Sequence, residues 1–389
     1  MMDEPQKTIE EYVISLYQAL HKIPEVAFQE IQTAARIAGE LEKMGLEVKR
    51  GIAKTGVIAR LRAKKTGPVV ALRADMDALC FVKNQKSVTM HACGHDAHSA
   101  MVLGAARLLT ANPPERGTVV FLFQPSEEKM DGSRQVISSG ALNDVEEMIG
   151  IHVRPADELP AGQATPALLH GAVQIIRAVI QGINAHGARP HLGVNALEAS
   201  VLAVNAVNAL HFDPKIHHSL KVTRLLVEGD TYNLIPDKAE LHIDVRAQTN
   251  ELMQDMTEKI SRAISRSASA LGAETLIDTV DHTPAAHYDE SLIQTVAGAI
   301  REVLGSSMPP LVTSGSEDFH FYATHLGLRT AYIGLGAGVT PGLHHPDFRL
   351  EVERLVQGTR ILEAAVRKRL QPDAELMRQE NHVEVDTFY

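Results

Sequence analysis

Only two cysteines, Cys80 and Cys93, occur in the 389 residues. A disulfide-stapled secreted scaffold would carry more, so both thiols are expected to be free in a reducing compartment. Excess basic charge is missing too: 38 Lys and Arg stand against 48 Asp and Glu, a net charge of −10. Nucleic acid and anionic membrane surfaces are bound through basic patches, so neither is expected as a partner. No stretch approaches the roughly 20 apolar residues of a membrane span. The first twenty residues carry Asp3, Glu4, Glu10 and Glu11 and have no uninterrupted apolar core, unlike a signal peptide. A cytoplasmic protein is the expectation.

Hydrophobic residues make up 44% and charged residues 22% of the chain, an ordinary globular balance. The length exceeds what one ordinary core holds, so two domains are expected. In the N-terminal part, Ala34, Ile37, Ala38, Leu41 and Met44 share one helical face, with Gly45 as its C-cap. Short apolar runs at Val57–Leu61, Val69–Leu72, Thr118–Phe123, Met148–Ile151 and Thr330–Ile333 read as buried strands. A helix over Ala100 to about Leu109 stops at Pro113-Pro114. Strands alternating with helices imply an α/β domain with a largely parallel sheet.

Between about Gly171 and Asp281 the rhythm changes. Strands at Val173–Ile180, Leu220–Val227, Ala239–Val245 and Thr275–Val280 interleave with helices at Asn195–Leu210 and Glu251–Leu271. That β-α-β-β-α-β order is ferredoxin-like. The expected division is therefore residues 1–170 with 282–389 as one domain and 171–281 inserted into it. The tail from about Gln371 is polar and expected to be poorly ordered.

Ligands of open α/β sheets bind beyond the C-terminal ends of the strands. Here those ends carry metal-ligand chemistry: Asp75 and Asp77, then Glu127 and Glu128, then His152, and finally His344. The run His91-Ala92-Cys93-Gly94-His95-Asp96-Ala97-His98 adds thiol and imidazole at a helix start. Each element alone has a bland explanation, such as a solvated Glu-Glu loop or a structural histidine. Together on one rim they favour a metal site. Mixed thiolate, imidazole and carboxylate donors suit zinc, with manganese, cobalt and nickel as alternatives. The glycine-rich Gly334–Gly338 is read as a turn after the last strand. It is not a dinucleotide loop, since no helix follows and Pro341 interrupts. There is no His-Glu-x-x-His helix and no Gly-x-Ser-x-Gly elbow.

Seven motifs carry a specific resemblance. They are Leu72-Arg73-Ala74-Asp75-Met76-Asp77-Ala78-Leu79, the run His91–His98, Gln124-Pro125-Ser126-Glu127-Glu128, and His152-Val153-Arg154-Pro155. Ala185-His186-Gly187-Ala188-Arg189-Pro190-His191, Ser316-Glu317-Asp318-Phe319 and His344-His345-Pro346 complete the set. In this order, over nearly the whole chain, the sequence resembles the aminoacylase, hippurate hydrolase and indoleacetyl-amino-acid hydrolase branch of the co-catalytic metallocarboxypeptidases. The resemblance implies a zinc-peptidase-like catalytic domain with an inserted lid and dimerisation domain, and a homodimer. It also implies two divalent cations per subunit, on Cys93, His95, Glu128, His152 and His344.

By the same resemblance Glu127 is the general base and Asp77 orients the ligands around it. His186 donates to the oxyanion, reaching the neighbouring subunit's site, while Arg246 and Asn233 hold the substrate carboxylate. The implied reaction is hydrolysis of N-acyl amino acids. Its rivals are a carboxypeptidase or dipeptidase of the same family and a non-catalytic metal-binding or regulatory protein. Departures from the branch affect the pocket. Cys80 replaces a proline, the connection from there to His91 is short, Lys129-Met130-Asp131-Gly132 replaces a Gly-rich run, and Arg154 stands where an aromatic is usual.

Overall fold

A computed structural model describes residues 8–83, 86–229, 231–313 and 315–371. The chain beyond Gln371, expected to be weakly ordered, lies outside the described residues. Two compact units are present. One comprises the chain up to Leu168, His287–Leu311 and the chain from Phe321; the other comprises Leu169–Ala286 and Val312–His320.

The first unit holds a seven-stranded sheet. Its spatial order is Glu47–Ile52, Gly56–Arg62, Arg116–Gln124, Lys65–Asp75, Glu147–Pro155, Arg329–Val339 and Ala164–Thr165. The four strands from Arg116–Gln124 to Arg329–Val339 run parallel, and the flanking pairs are antiparallel. Parallel strands are covered on both faces, which is why their sequences are continuously apolar. Val70, Leu72, Val119, Phe121, Ile149 and Ile333 are all buried, with helices Ile9–Leu20, His95–Ala111 and Leu355–Leu370 packed over them.

The second unit is built differently. Its four antiparallel strands lie in the order His218–Val227, Lys238–Ala247, Ala172–Gln181, Glu274–Thr283. Along Lys238–Ala247 burial alternates strictly: Ala239, Leu241, Ile243 and Val245 are buried, while Glu240, His242, Asp244 and Arg246 are not. Period-two alternation marks a sheet covered on one face only. Helices Ala196–Asn208 and Asn250–Ser269 supply that cover.

Three local expectations are corrected. The strand Glu147–Pro155 runs past His152, so this histidine sits within a strand and not at its end. The helix after the histidine run begins at His95, not Ala100. Gly334 to Gly338, expected to be a turn, belongs to the strand Arg329–Val339. The glycines are there for close approach. A Cβ on Gly334 would lie 2.7 Å from Leu168 and Thr165 atoms, and one on Gly336 would lie 2.0 Å from the Pro160 carbonyl oxygen. The antiparallel hairpin Leu79–Lys83 with Lys86–Met90 had no counterpart in the sequence reading.

Because the clash at Gly336 is with backbone, it cannot be relieved by a side-chain rotation. Gly336→Ala should lower unfolding stability by about 1–3 kcal/mol, measured as a lower denaturant midpoint with an unchanged slope.

Candidate metal centre

Two buried carboxylates shape the loops around the site. Asp77, just past the strand Lys65–Asp75, accepts the backbone N–H of Glu127 through Oδ1 and that of Glu128 through Oδ2, both at 3.0 Å. Its Oδ1 also lies 3.2 Å from His95 Nδ1. Glu30, fully buried in the N-terminal part, accepts the Ser126 N–H at 2.9 Å and the Thr55 hydroxyl at 2.6 Å. Ser126 itself has φ +58°, and the two anchors on either side hold that bend. Glu127 and Glu128 are thus presented by a loop tied down at both ends.

Gly94 turns the chain from Cys93 into the helix that begins at His95. Its φ is +87°, and a Cβ there would meet Val153 at 2.6 Å, so only glycine fits the bend. His95 and Cys93 consequently lie on either side of one tight turn.

Hydrogen-bond partners assign the imidazole tautomers. His152 Nδ1 lies 2.6 Å from the Val153 carbonyl, which can only accept, so Nδ1 carries the proton. The Nε2 lone pair then faces Cys93 Sγ at 3.5 Å. His95 Nδ1 is held by Asp77, which leaves Nε2 3.8 Å from Glu128 Oε1 and 3.9 Å from Glu127 Oε2. His344 Nε2 approaches Glu128 Oε1 at 3.5 Å, and its backbone N–H donates to the Ala92 carbonyl at 2.7 Å. His98 differs. Its Nε2 accepts from Val153 N–H at 3.0 Å and its Nδ1 lies 2.7 Å from Asp75 Oδ1, so both nitrogens are engaged within the protein. Asp75 is also bonded by Arg73 at 2.6 Å. The His98 and Asp75 side chains thus already have protein partners, although with His95 they form a cluster of metal-ligand type.

Four donor groups of the first unit, each with ligand atoms within 4.8 Å of one another, overlap here: Cys93-His95-His152, Cys93-Glu128-His344, His95-Glu127-Glu128 and Asp75-His95-His98. All five expected ligands and Glu127 are therefore gathered in the first unit, with Asp77 behind them. His186, Asn233 and Arg246 lie in the second unit. Sequence reasoning missed Glu30, which belongs to no motif. It also left His98 without a role, although its place three residues after His95 puts both on one helix face.

The electrostatics fit a cation. Burial pushes the Cys93 thiol up to about 12, with Glu128 adding to the effect. Burial likewise lifts the Glu128 carboxyl to about 7, opposed by His95 and reinforced by Asp77 and Asp75. Burial, followed by His98 and Arg154, holds His152 well below the usual histidine range, and burial with His95 lowers His344. Both therefore stay neutral and able to donate a lone pair. His95 Nε2 and Glu128 Oε1 are buried with no hydrogen-bond partner, which is costly unless a ligand completes them. A soft, borderline and hard donor set with two orphaned atoms fits divalent metal ions of the zinc and manganese type.

The model of Peptidase family M20/M25/M40 matches residues 71–368. The chain belongs to that family. It is a metal-dependent hydrolase of amide bonds. N-acetylcysteine deacetylase of Bacillus subtilis is 31% identical over 88% of this chain and 93% of that protein. IAA-amino acid hydrolase ILR1-like 4 of Arabidopsis thaliana is 30% identical, covering 90% of this chain and 83% of its own. Among solved structures, the Bacillus subtilis YXEP protein, described as a dinuclear metal binding peptidase from the M20 family, superposes with TM-score 0.79. It is 29% identical, covering 93% of this chain and 98% of that one. Among the described residues, no helix is long and apolar enough to cross a membrane.

Metal uptake should be linked to protons. In the metal-free protein the Cys93 thiol is protonated at neutral pH, and the Glu128 carboxyl takes up a proton as pH falls through about 7. Coordination requires both deprotonated, so affinity should rise with pH, and the slope of log K against pH should steepen by about one unit below pH 7. Competition titration with a chelator between about pH 6 and 8 measures this; a pH-independent affinity would contradict the assignment.

Proposed function

We propose that the protein hydrolyses the amide bond of N-acyl amino acids, using two divalent cations held by Cys93, His95, Glu128, His152 and His344. Zinc or manganese is the preferred occupant, with cobalt or nickel as substitutes. The observation that carries the reading is the placement of Glu127. Its carboxylate is buried beside His95 Nε2 and Glu128, on a loop whose backbone is held by Asp77. A purely structural metal site has no use for an extra acid of that kind.

When bound, the cations supply Lewis acidity and lower the pKa of a water in the site. Glu127 takes the proton from the attacking water and delivers it to the leaving amine nitrogen. Asp77 keeps Glu127 in place by accepting its backbone N–H, and orients His95 with the same oxygen. His186 is suited to an oxyanion because its Nδ1 accepts from the Ala188 N–H at 3.0 Å, leaving the proton on the exposed Nε2. Asn233 stands beside it: the Asn233 carbonyl accepts the Gly187 N–H at 2.7 Å.

Arg246 is assigned to the substrate carboxylate. Asp244 holds its guanidinium by two bonds of 3.0 and 3.3 Å, and it lines a cavity of about 190 Å³ with Val173, His217, His218 and Ala247. A pre-oriented planar fork is the group that reads a carboxylate best.

The second unit is read as a ferredoxin-like insert that acts as lid and dimerisation domain. Its edge strand His218–Val227 exposes Leu225, Leu226 and Val227, and helix Ala196–Asn208 exposes Leu197, Val201 and Leu202. Apolar groups beside an open strand edge favour pairing with a second copy. A cytoplasmic location accords with the two free thiols.

Glu127→Gln should keep metal content and fold while losing about 10²–10⁴-fold in kcat on an N-acyl amino acid. Equal rates for the two proteins would remove the mechanism. If His186 acts across a dimer, mixing and refolding the inactive variants His186→Ala and Glu127→Ala should restore activity, because one of the two sites in a mixed dimer keeps both groups. Verified mixed dimers without activity would place the His186 side chain elsewhere.

A further inference from the structure

His91 lies next to the ligand set and is not part of it. It belongs to no donor group able to hold a metal among the described residues. Its side chain is nevertheless buried, at 3% exposure, and neither Nδ1 nor Nε2 has a hydrogen-bond partner. Neighbouring groups are already engaged. The His21 ring, 6.4 Å away by centroid, has its Nδ1 2.6 Å from Asp96 Oδ2, while Asp96 Oδ1 accepts the Ala97 N–H. Two unmet nitrogens in the interior are costly unless something enters to meet them.

The backbone around His91 indicates what enters. The chain leaves the metal centre at Asp77, runs out and back through the hairpin Leu79–Lys83 and Lys86–Met90, and returns at His91, two residues before Cys93. Pairing of Leu79 with Met90 and of Phe81 with Val88 puts four apolar side chains on one face. Leu79, Phe81 and Met90 are half-buried and Val88 is 37% exposed. This short apolar wall thus ends at Met90, one residue before a buried imidazole with spare hydrogen-bonding capacity. Both ends of the wall are rooted in the metal centre.

We propose that this hairpin and His91 form the subsite for the acyl half of the substrate, and that His91 reads a hydroxyl group on an otherwise apolar acyl chain. The proposal rests on the reading of the protein as an N-acyl amino acid hydrolase. A neutral imidazole offers one donor and one acceptor, and a hydroxyl answers both. A carboxylate can only accept and an ammonium can only donate, so each would leave one nitrogen unmet.

The test uses metal-loaded full-length enzyme and matched substrates of one amino acid: N-propanoyl against N-lactoyl, and N-butanoyl against N-3-hydroxybutanoyl. The wild-type enzyme should favour the hydroxylated member of at least one pair by about tenfold in kcat/KM, the worth of about one buried hydrogen bond. His91→Phe should abolish that preference through KM, with kcat on the plain acyl substrate and metal content retained. His91→Asn, which keeps a donor and an acceptor, should restore part of it. A wild-type enzyme indifferent to the hydroxyl in both pairs overturns the proposal whether or not the variants fold. So does a preference that survives in His91→Phe, or a variant that loses kcat equally on all four substrates. Failure to cleave any N-acyl amino acid, with dipeptides cleaved instead, overturns the parent reading and this inference with it.

Discussion

The carboxylate of Asp77 is the hub on which the centre depends. Three bonds converge on it, from two consecutive backbone N–H groups and from one imidazole. They join three chain segments: the end of a central strand, the start of the helix His95–Ala111 and the loop that carries Glu127 and Glu128. Hydrogen bonds to a charged group contribute about 1.5–3 kcal/mol each, which offsets the cost of burying the carboxylate. A single buried carboxylate thereby sets the positions of the imidazole and carboxylate proposed as metal ligands and of the proposed proton carrier relative to one another.

The rest of the first unit makes that hub rigid. Continuous apolar strands pack into a sheet covered on both faces, and their ends form the rim from which the functional loops leave. Burial then does chemical work on the rim. It keeps His152 and His344 neutral and makes the Cys93 thiol and Glu128 carboxyl poor anions on their own. Low dielectric penalises each isolated charge, and a divalent cation reverses the penalty for the whole group at once. The second unit is plainer physically, an antiparallel sheet with one helical cover and one uncovered face. That uncovered face carries Arg246, and an open edge strand lies beside it.

Much of this was legible from the chain alone because the signals are local. Apolar runs bounded by turns marked the central strands, alternation and helical periodicity marked the second unit, and the ligand types stood in short motifs. Gly334 to Gly338 misled because glycine in a strand and glycine in a turn look identical without the neighbour that demands it, here the Pro160 carbonyl. The hairpin after Leu79 was invisible because its strands are five residues each and flank a short, polar connection. Glu30 carried no signal, since its partners Ser126 and Thr55 lie 96 and 25 residues away.

By itself the sequence determined most of the element types, the layered class of the first unit and the residues proposed as donors in the metal centre. Those follow from side-chain chemistry and short-range periodicity. Tertiary structure decided which histidines keep a free lone pair and which are consumed internally. His95 and His98 sit three residues apart on one helix, yet the Nε2 of one has no hydrogen-bond partner while the other is bonded at both nitrogens. That distinction depends on Asp75, Asp77 and Val153 arriving from other strands. No local pattern encodes hydrogen-bond partners brought together by the sheet.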